Sequence, residues 1–200
     1  HARQARVVLE LGGNAAVIIH QAGTAVDHAP VNRTEVVRQE AARQEVAQRV
    51  AWGACANAGQ ICISVQRILI PAADPHWRSA LIAAFAAVPT GDPWAETTVC
   101  GPLIDDAAVA RITAELAGVV ARGGRILTGG TFTGRTLAPT LIEGVPAADP
   151  AVRNREVFAP IAYLLPYTSI DQALTLVDDT PFGLNARLFT TDEAVISAPW

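Results

Sequence analysis

Apolar positions along this chain follow two spacings. Short runs of β-branched and apolar residues, Arg6 to Leu11 and Ala15 to His20, read as buried strands separated by the turn Gly12-Gly13-Asn14. A strand followed by that turn places Glu10 at a strand end. From about Arg33 to Ala58 the pattern becomes charged and alanine-rich, with Val46, Val50 and Ala54 at i, i+4 and i+8, which predicts an amphipathic helix capped by Asn32 or Thr34. Ile63 to Pro71 reads as a strand, and Pro75 to Val88 as a helix with Trp77, Leu81, Ile82 and Phe85 on its apolar face. A proline- and glycine-bearing connection, Pro89 to Ile104, leads into a helix from Asp105 to Gly123. Its stripe is Val109, Ile112, Leu116 and Val119/Val120, and Gly123-Gly124 stops it.

Arg125 to Leu127 and Pro139 to Ile142 are short strands around a glycine-rich hairpin. Ile161 to Pro166 is a strand, Ile170 to Val177 a helix opened by Ser169, and Asn185 to Thr190 a last strand. Strands alternating with helices predict an α/β fold, an open and mostly parallel sheet covered by helices on both faces. No repeat or low-complexity block breaks the order, and the region Gln21 to Glu40 reads as the one insertion.

Composition narrows the function. Half of the 200 residues are apolar, enough for a core without disulfides or metals. The net charge is −4 with scattered basic residues, so neither nucleic acid nor an anionic membrane is an expected partner. The longest apolar stretch, Ala80 to Val88, is too short to span a bilayer, and no targeting segment is visible. All fifteen basic residues are arginine. The absence of lysine excludes Schiff-base and pyridoxal-phosphate chemistry and a Walker-type phosphate loop. There is no methionine, which with a strand starting at Arg6 suggests a chain that begins inside a longer protein. Cys55, Cys62 and Cys100 form no Cys-x-x-Cys pair, a usage that fits a reducing, cytoplasmic compartment. His1, His20, His28 and His76 lack metal-ligand spacing, and no metal is expected.

Three places could carry chemistry. Gly59-Gln60-Ile61-Cys62 closes a small-residue helix and opens a strand, and a thiol at such a junction is reachable and open to activation by backbone N–H groups. A lone cysteine is otherwise a small core residue, the reading given to Cys55, inside the apolar end of its helix, and Cys100 is left structural in its loop. Glu10, beside Val7, Val8, Leu9 and Leu11, must reach solvent, find a partner or have a raised pKa, and a strand-end role accepting N–H groups from the glycine turn is equally open. On physics alone Arg153-Asn154-Arg155-Glu156 reads as a solvated charged run and Phe158 as the first core residue of the next strand.

In order, Leu9-Glu10-Leu11-Gly12-Gly13-Asn14, Gly59-Gln60-Ile61-Cys62-Ile63-Ser64 and Glu156-Val157-Phe158-Ala159-Pro160 resemble segments of the aldehyde dehydrogenase superfamily, and the likeness runs over nearly the whole chain. Gly101-Pro102-Leu103-Ile104 and Pro181-Phe182-Gly183-Leu184-Asn185-Ala186 look like framework segments of the same family. The resemblance implies NAD- or NADP-linked oxidation of an aldehyde to a carboxylic acid. By that likeness Cys62 is the nucleophile that passes through a thiohemiacetal and a thioester, and Glu10 the base that activates the hydrolytic water. Glu156 would hold the nicotinamide ribose and Phe158 the nicotinamide, with Leu11 and Gly12 as cofactor-proximal backbone. Ala159 stands where the family usually has glycine. Residues 1–14 would end a cofactor-domain side and 15–200 form a thiol domain incomplete at its C-terminus.

Two further expectations attach to the resemblance. The interval from Glu10 to Cys62 is longer than the family usually has, through extra residues near Gly23 to Glu40. The dinucleotide-binding half that precedes the glutamate segment in the family is expected outside this chain, so the 200 residues alone should be inactive and the full-length protein a homo-oligomer. Two other classes stay open: a noncatalytic truncated domain with at most an association role, and a cysteine hydrolase or transferase without redox chemistry.

Overall fold

The computed structural model describes residues 9–20 and 33–198. Its main sheet has six strands in the order β3-β6-β7-β2-β1-β8. These are β1 (Ala15–Ile19), β2 (Val65–Pro71), β3 (Arg125–Thr128), β6 (Thr140–Glu143), β7 (Ile161–Tyr167) and β8 (Ala186–Phe189). Within this sheet, among the described residues, only the β3–β6 pair is antiparallel; β6, β7, β2, β1 and β8 run parallel. A two-stranded ribbon, β4 (Phe132–Thr133) and β5 (Thr136–Leu137), forms the hairpin between β3 and β6. The α/β reading of the sequence holds.

Central strands are buried on both faces, as crossovers that lay helices on each side require. Every residue of β1 is buried, as are the first six of β2, whereas the edge strands β3 and β8 are largely open. Helix α1 (Arg33–Cys55) buries Ala47, Val50, Ala51, Ala54 and Cys55, a stripe at i, i+3, i+4, i+7 and i+8. That stripe is turned slightly from the Val46-Val50-Ala54 line. Helix α2 (His76–Ala86) packs on α1 and buries Trp77, Leu81, Ala84 and Phe85, while Arg43 of α1 lies over the Trp77 ring. Helix α3 (Asp106–Ala121) buries Ile112, Leu116 and Val119; the Asp105 side chain caps it, and the Gly124 N–H returns to the Val119 carbonyl. Helix α5 (Ile170–Asp178) is capped by Ser169, as expected, and the single turns α4 (Pro150–Arg153) and α6 (Glu193–Ile196) were not foreseen.

One expected element is not seen in its described part. Leu9 to Leu11, the described part of the Arg6–Leu11 strand, has no regular structure, and Leu9, Glu10 and Leu11 are exposed. An apolar β-branched run becomes a strand only where a neighbour pairs with it, and no strand of the sheet pairs with residues 9–11. Arg6 to Val8, and most of the suspected insertion, lie outside the described residues; its described end, from Arg33, belongs to α1.

Candidate active site

Because β8, β1, β2 and β7 are parallel neighbours, the segments that enter them arrive at one end of the sheet. Gly12-Gly13-Asn14 enters β1, Ile61-Cys62-Ile63 enters β2, and Glu156-Val157-Phe158 enters β7. Topology thus gathers at the amino ends of the strands three segments spread over some 150 residues of sequence.

Cys62 is delivered by a strained turn. After α1 the chain makes a short 3₁₀ segment, Ala56–Gly59, in which Asn57, Ala58 and Gly59 have φ of 52°, 56° and 65°. Left-handed backbone costs a non-glycine residue on the order of 1–2 kcal/mol, so surrounding bonds must hold it. They do: the Gln60 N–H donates to the Asn57 carbonyl (3.0 Å), the Ser64 hydroxyl to the Ala54 carbonyl (3.1 Å), and Gln60 Oε1 accepts from the Ile104 N–H (3.0 Å). Gly59 must be glycine, since a β-carbon there would overlap the Ala159 carbonyl. The turn leaves Cys62 half-buried at the junction, with Ile63 exposed beside it. Cys55 and Cys100 are fully buried, and burial pushes both thiols up, Cys100 to about 11. Of the three, Cys62 alone is accessible.

The glycine turn meets both other segments. A β-carbon on Gly13 would overlap the Cys62 carbonyl, so the two backbones touch only because that position has no side chain. The Gly13 N–H donates to Glu156 Oε1 (2.9 Å), and a β-carbon on Gly12 would sit 3.3 Å from Glu156 Oε2. Glu156, and not Glu10, is the carboxylate that accepts from the glycine turn. Glu10 takes the first of the outcomes open to it and reaches solvent. Phe158 departs from the reading of a core residue: it is 38% exposed with φ of 53°, while Val157 fills the core position. Arg111 of α3 holds this strained residue by donating to the Val157 (2.8 Å) and Phe158 (3.4 Å) carbonyls. An exposed aromatic held in a costly backbone, next to a carboxylate, faces outward rather than filling the core.

A sequence profile of the aldehyde dehydrogenase family matches residues 28–198. The chain belongs to that family. Vanillin dehydrogenase of Pseudomonas fluorescens is 34% identical over 189 residues, which cover 92% of this chain and 35% of that protein. The crystal structure of aldehyde dehydrogenase 21 from Physcomitrella patens, in complex with the reaction product succinate, superposes with a TM-score of 0.77 at 31% identity, covering 96% of this chain and 36% of that one. An NAD-dependent benzaldehyde dehydrogenase from Corynebacterium glutamicum gives 0.77 at 27% identity, covering 94% and 37%. The chain spans about a third of the length of these relatives.

Three buried polar residues at this end of the aldehyde dehydrogenase fold escaped the sequence reading. Asn14 Nδ2 donates to the Val152 (3.0 Å) and Arg155 (2.7 Å) carbonyls, tying the glycine turn to the segment before Glu156. Gln66 Nε2 donates to the Gly13 carbonyl (3.1 Å), and its Oε1 accepts from the Val157 N–H (2.9 Å). Arg67 donates to the Asn14, Leu176 and Val177 carbonyls, closing the C-terminal end of α5, and burial lowers its pKa. A signal was present: Gln66-Arg67 interrupts an otherwise apolar strand in the middle of the sheet, where polar groups survive only with partners. Among the described residues no cluster of His, Cys, Asp or Glu could hold a metal, and no helix is long and apolar enough to cross a membrane.

Proposed function

We propose that these residues are part of a polypeptide that oxidises an aldehyde to a carboxylic acid with NAD or NADP, with Cys62 as nucleophile and Glu10 as general base. The observation that carries the reading is the meeting of three segments at the amino ends of the strands: Gly13 lies on the Cys62 carbonyl while its N–H binds Glu156. Cys62 as thiolate adds to the aldehyde carbon, and its own backbone N–H is suited to stabilise the resulting oxyanion. Glu156 and Phe158 would hold the nicotinamide end of the dinucleotide, which when bound supplies a hydride acceptor. The thioester left on Cys62 is then hydrolysed by water that gives its proton to Glu10, releasing the acid and the thiol. Leu11 and Gly12 contribute backbone beside the cofactor. Relatives named for vanillin and benzaldehyde make benzaldehyde a sensible probe.

A Cys–His hydrolase is less well supported. The described histidines, His20 and His76, follow β1 and β2 at the opposite end of the sheet, and His20 Nδ1 is engaged by the Tyr167 hydroxyl at 3.0 Å. Limiting iodoacetamide followed by peptide mapping tests the assignment. Cys62 should be alkylated first because exposure favours attack there and burial suppresses the thiolate of the other two. Preferential modification of Cys55 or Cys100 in the folded protein overturns it.

A further inference from the structure

We propose that Gln66 is a positioning residue that holds the glycine turn and the Glu156–Phe158 loop in fixed register around Cys62. The inference rests on the reading of Cys62, Glu156 and Phe158 just given.

Gln66 is the second residue of β2 and is 1% exposed. Strand β2 lies between β1 and β7, so a residue at its amino end has the entry segments of both neighbours within reach. Gln66 bonds to both, across 53 and 91 residues of sequence. The backbone groups it uses, the Gly13 carbonyl and the Val157 N–H, lie just outside the strand ladders. With the Gly13 N–H on Glu156 Oε1, the bonds close a ring: Gln66 to Gly13, Gly13 to Glu156, and Val157, next in chain, back to Gln66.

The residue type follows from the ring. One side of it needs a donor and the other an acceptor, and both bonds are buried, so a group that offers only one of the two would leave a buried partner unpaired. A primary amide supplies both, uncharged, at the end of a three-carbon reach. The hydroxyl of serine or threonine would stop short of both neighbours, and a carboxylate would face the Gly13 carbonyl with lone pairs. Gln66 touches no reacting atom. It acts by fixing the Val157 N–H, while Arg111 holds the Val157 and Phe158 carbonyls, so the residue before Phe158 is held at both its backbone groups. Released, Phe158 would relax toward ordinary backbone and draw Glu156 off the glycine turn.

The test compares Gln66→Met, which keeps length and removes both bonds, with Gln66→Glu. Amide exchange at Val157 is read in this chain, and steady-state kinetics with NAD and benzaldehyde in a polypeptide that also binds the dinucleotide. In Gln66→Met, Val157 should lose protection and the KM for NAD should rise, each on the order of tenfold, with kcat less affected and Cys62 alkylation within about twofold of the parent. In Gln66→Glu the neutral carboxyl can donate to the Gly13 carbonyl and accept from Val157, so the KM for NAD should approach the parent's in acid; the ionised carboxylate still accepts from the Val157 N–H but repels the Gly13 carbonyl, so on ionisation the KM should rise while Val157 stays protected. The parent should show no such pH profile. A parent Val157 amide that exchanges like an unbonded loop amide overturns the proposal even if no variant folds. So does a Gln66→Met protein with unchanged protection and unchanged KM for NAD. Failure of Cys62 to label first would instead sink the site reading, a result separable from Val157 exchange.

Discussion

The two ends of this sheet are built from the same strands and have opposite character. At the amino ends the backbone is strained and polar groups are buried: Asn57, Ala58 and Phe158, the non-glycine residues with positive φ among those described, all lie there, with Asn14, Gln66 and Arg67 beneath them. At the carboxyl ends of β2 and β7 no described non-glycine residue has positive φ. These ends line a cavity of about 780 Å³ with Ile70, Pro71, Leu165 and Pro166, rimmed by Glu143 between Arg78 and Arg125. Parallel sheets usually bind ligands outside their carboxyl ends, and cavity size alone would point to that side. Convergence of three segments and stored strain point to the other, because a cavity arises wherever loops diverge, while strain persists only where neighbours enforce it.

The same carboxylate-to-amide change should read out differently at each end, and the larger effect is expected at Glu10. In a polypeptide carrying these residues and a dinucleotide-binding segment, Glu10→Gln should leave thioester formation intact and slow its hydrolysis, lowering turnover by roughly 10²–10⁴-fold. Rapid-mixing absorbance at 340 nm, a wavelength set by the reduced cofactor, should show a burst followed by little steady-state product. If burst and turnover disappear together, Glu10 acts earlier or only shapes the chain, and the contrast between the ends weakens.

How legible each end was in the sequence also differs. Elements whose order depends on local spacing came through: the helix stripes, the Ser169 cap and strands β2 and β7. Elements that depend on a distant neighbour did not. Leu9 to Leu11 read as the end of a strand, yet where they are described no strand pairs with them, and Phe158 looks like core until Val157 is seen filling that position. The candidate site was legible as three motifs, but neither the Gly13–Glu156 bond nor the Gln66 bridge can be read from spacing, since each joins residues far apart in sequence that only the parallel sheet order makes neighbours.

Strain at the amino ends can be measured directly at Phe158. Phe158→Gly and Phe158→Ala both remove the ring, and only glycine also removes the penalty of φ at 53°. Urea unfolding should find the glycine variant more stable than the alanine variant by about 1 kcal/mol, a net of the left-handed cost and the added freedom of an unfolded glycine. Both should raise the KM for NAD, since the exposed ring contributes more to the site than to the core. A glycine variant less stable than the alanine variant would mean the loop carries no strain, since only the added freedom of unfolded glycine would then remain.

The smallest expected effect belongs to the carboxyl end. Glu143 accepts from Arg78 (2.7 and 3.0 Å) and pairs with Arg125, and its carboxyl is held below the usual range first by the Arg78 hydrogen bond, with burial opposing and Arg125 adding. A folded-state pKa depressed in this way stabilises the fold above the ordinary carboxylate range, and the contribution is lost as pH falls through the folded value. Glu143→Gln should therefore lower stability at neutral pH by roughly 1 kcal/mol or less, because both arginines reach solvent, and the difference from the parent should shrink in acid and in high salt. Cys62 alkylation should be unchanged, since the two ends share only the strands between them. Thermal melts from neutral pH down into the acid range decide the matter. A gap that persists in acid would mean that Glu143 supports this end by packing and not by charge, and a change in Cys62 reactivity would show that the ends are mechanically coupled after all.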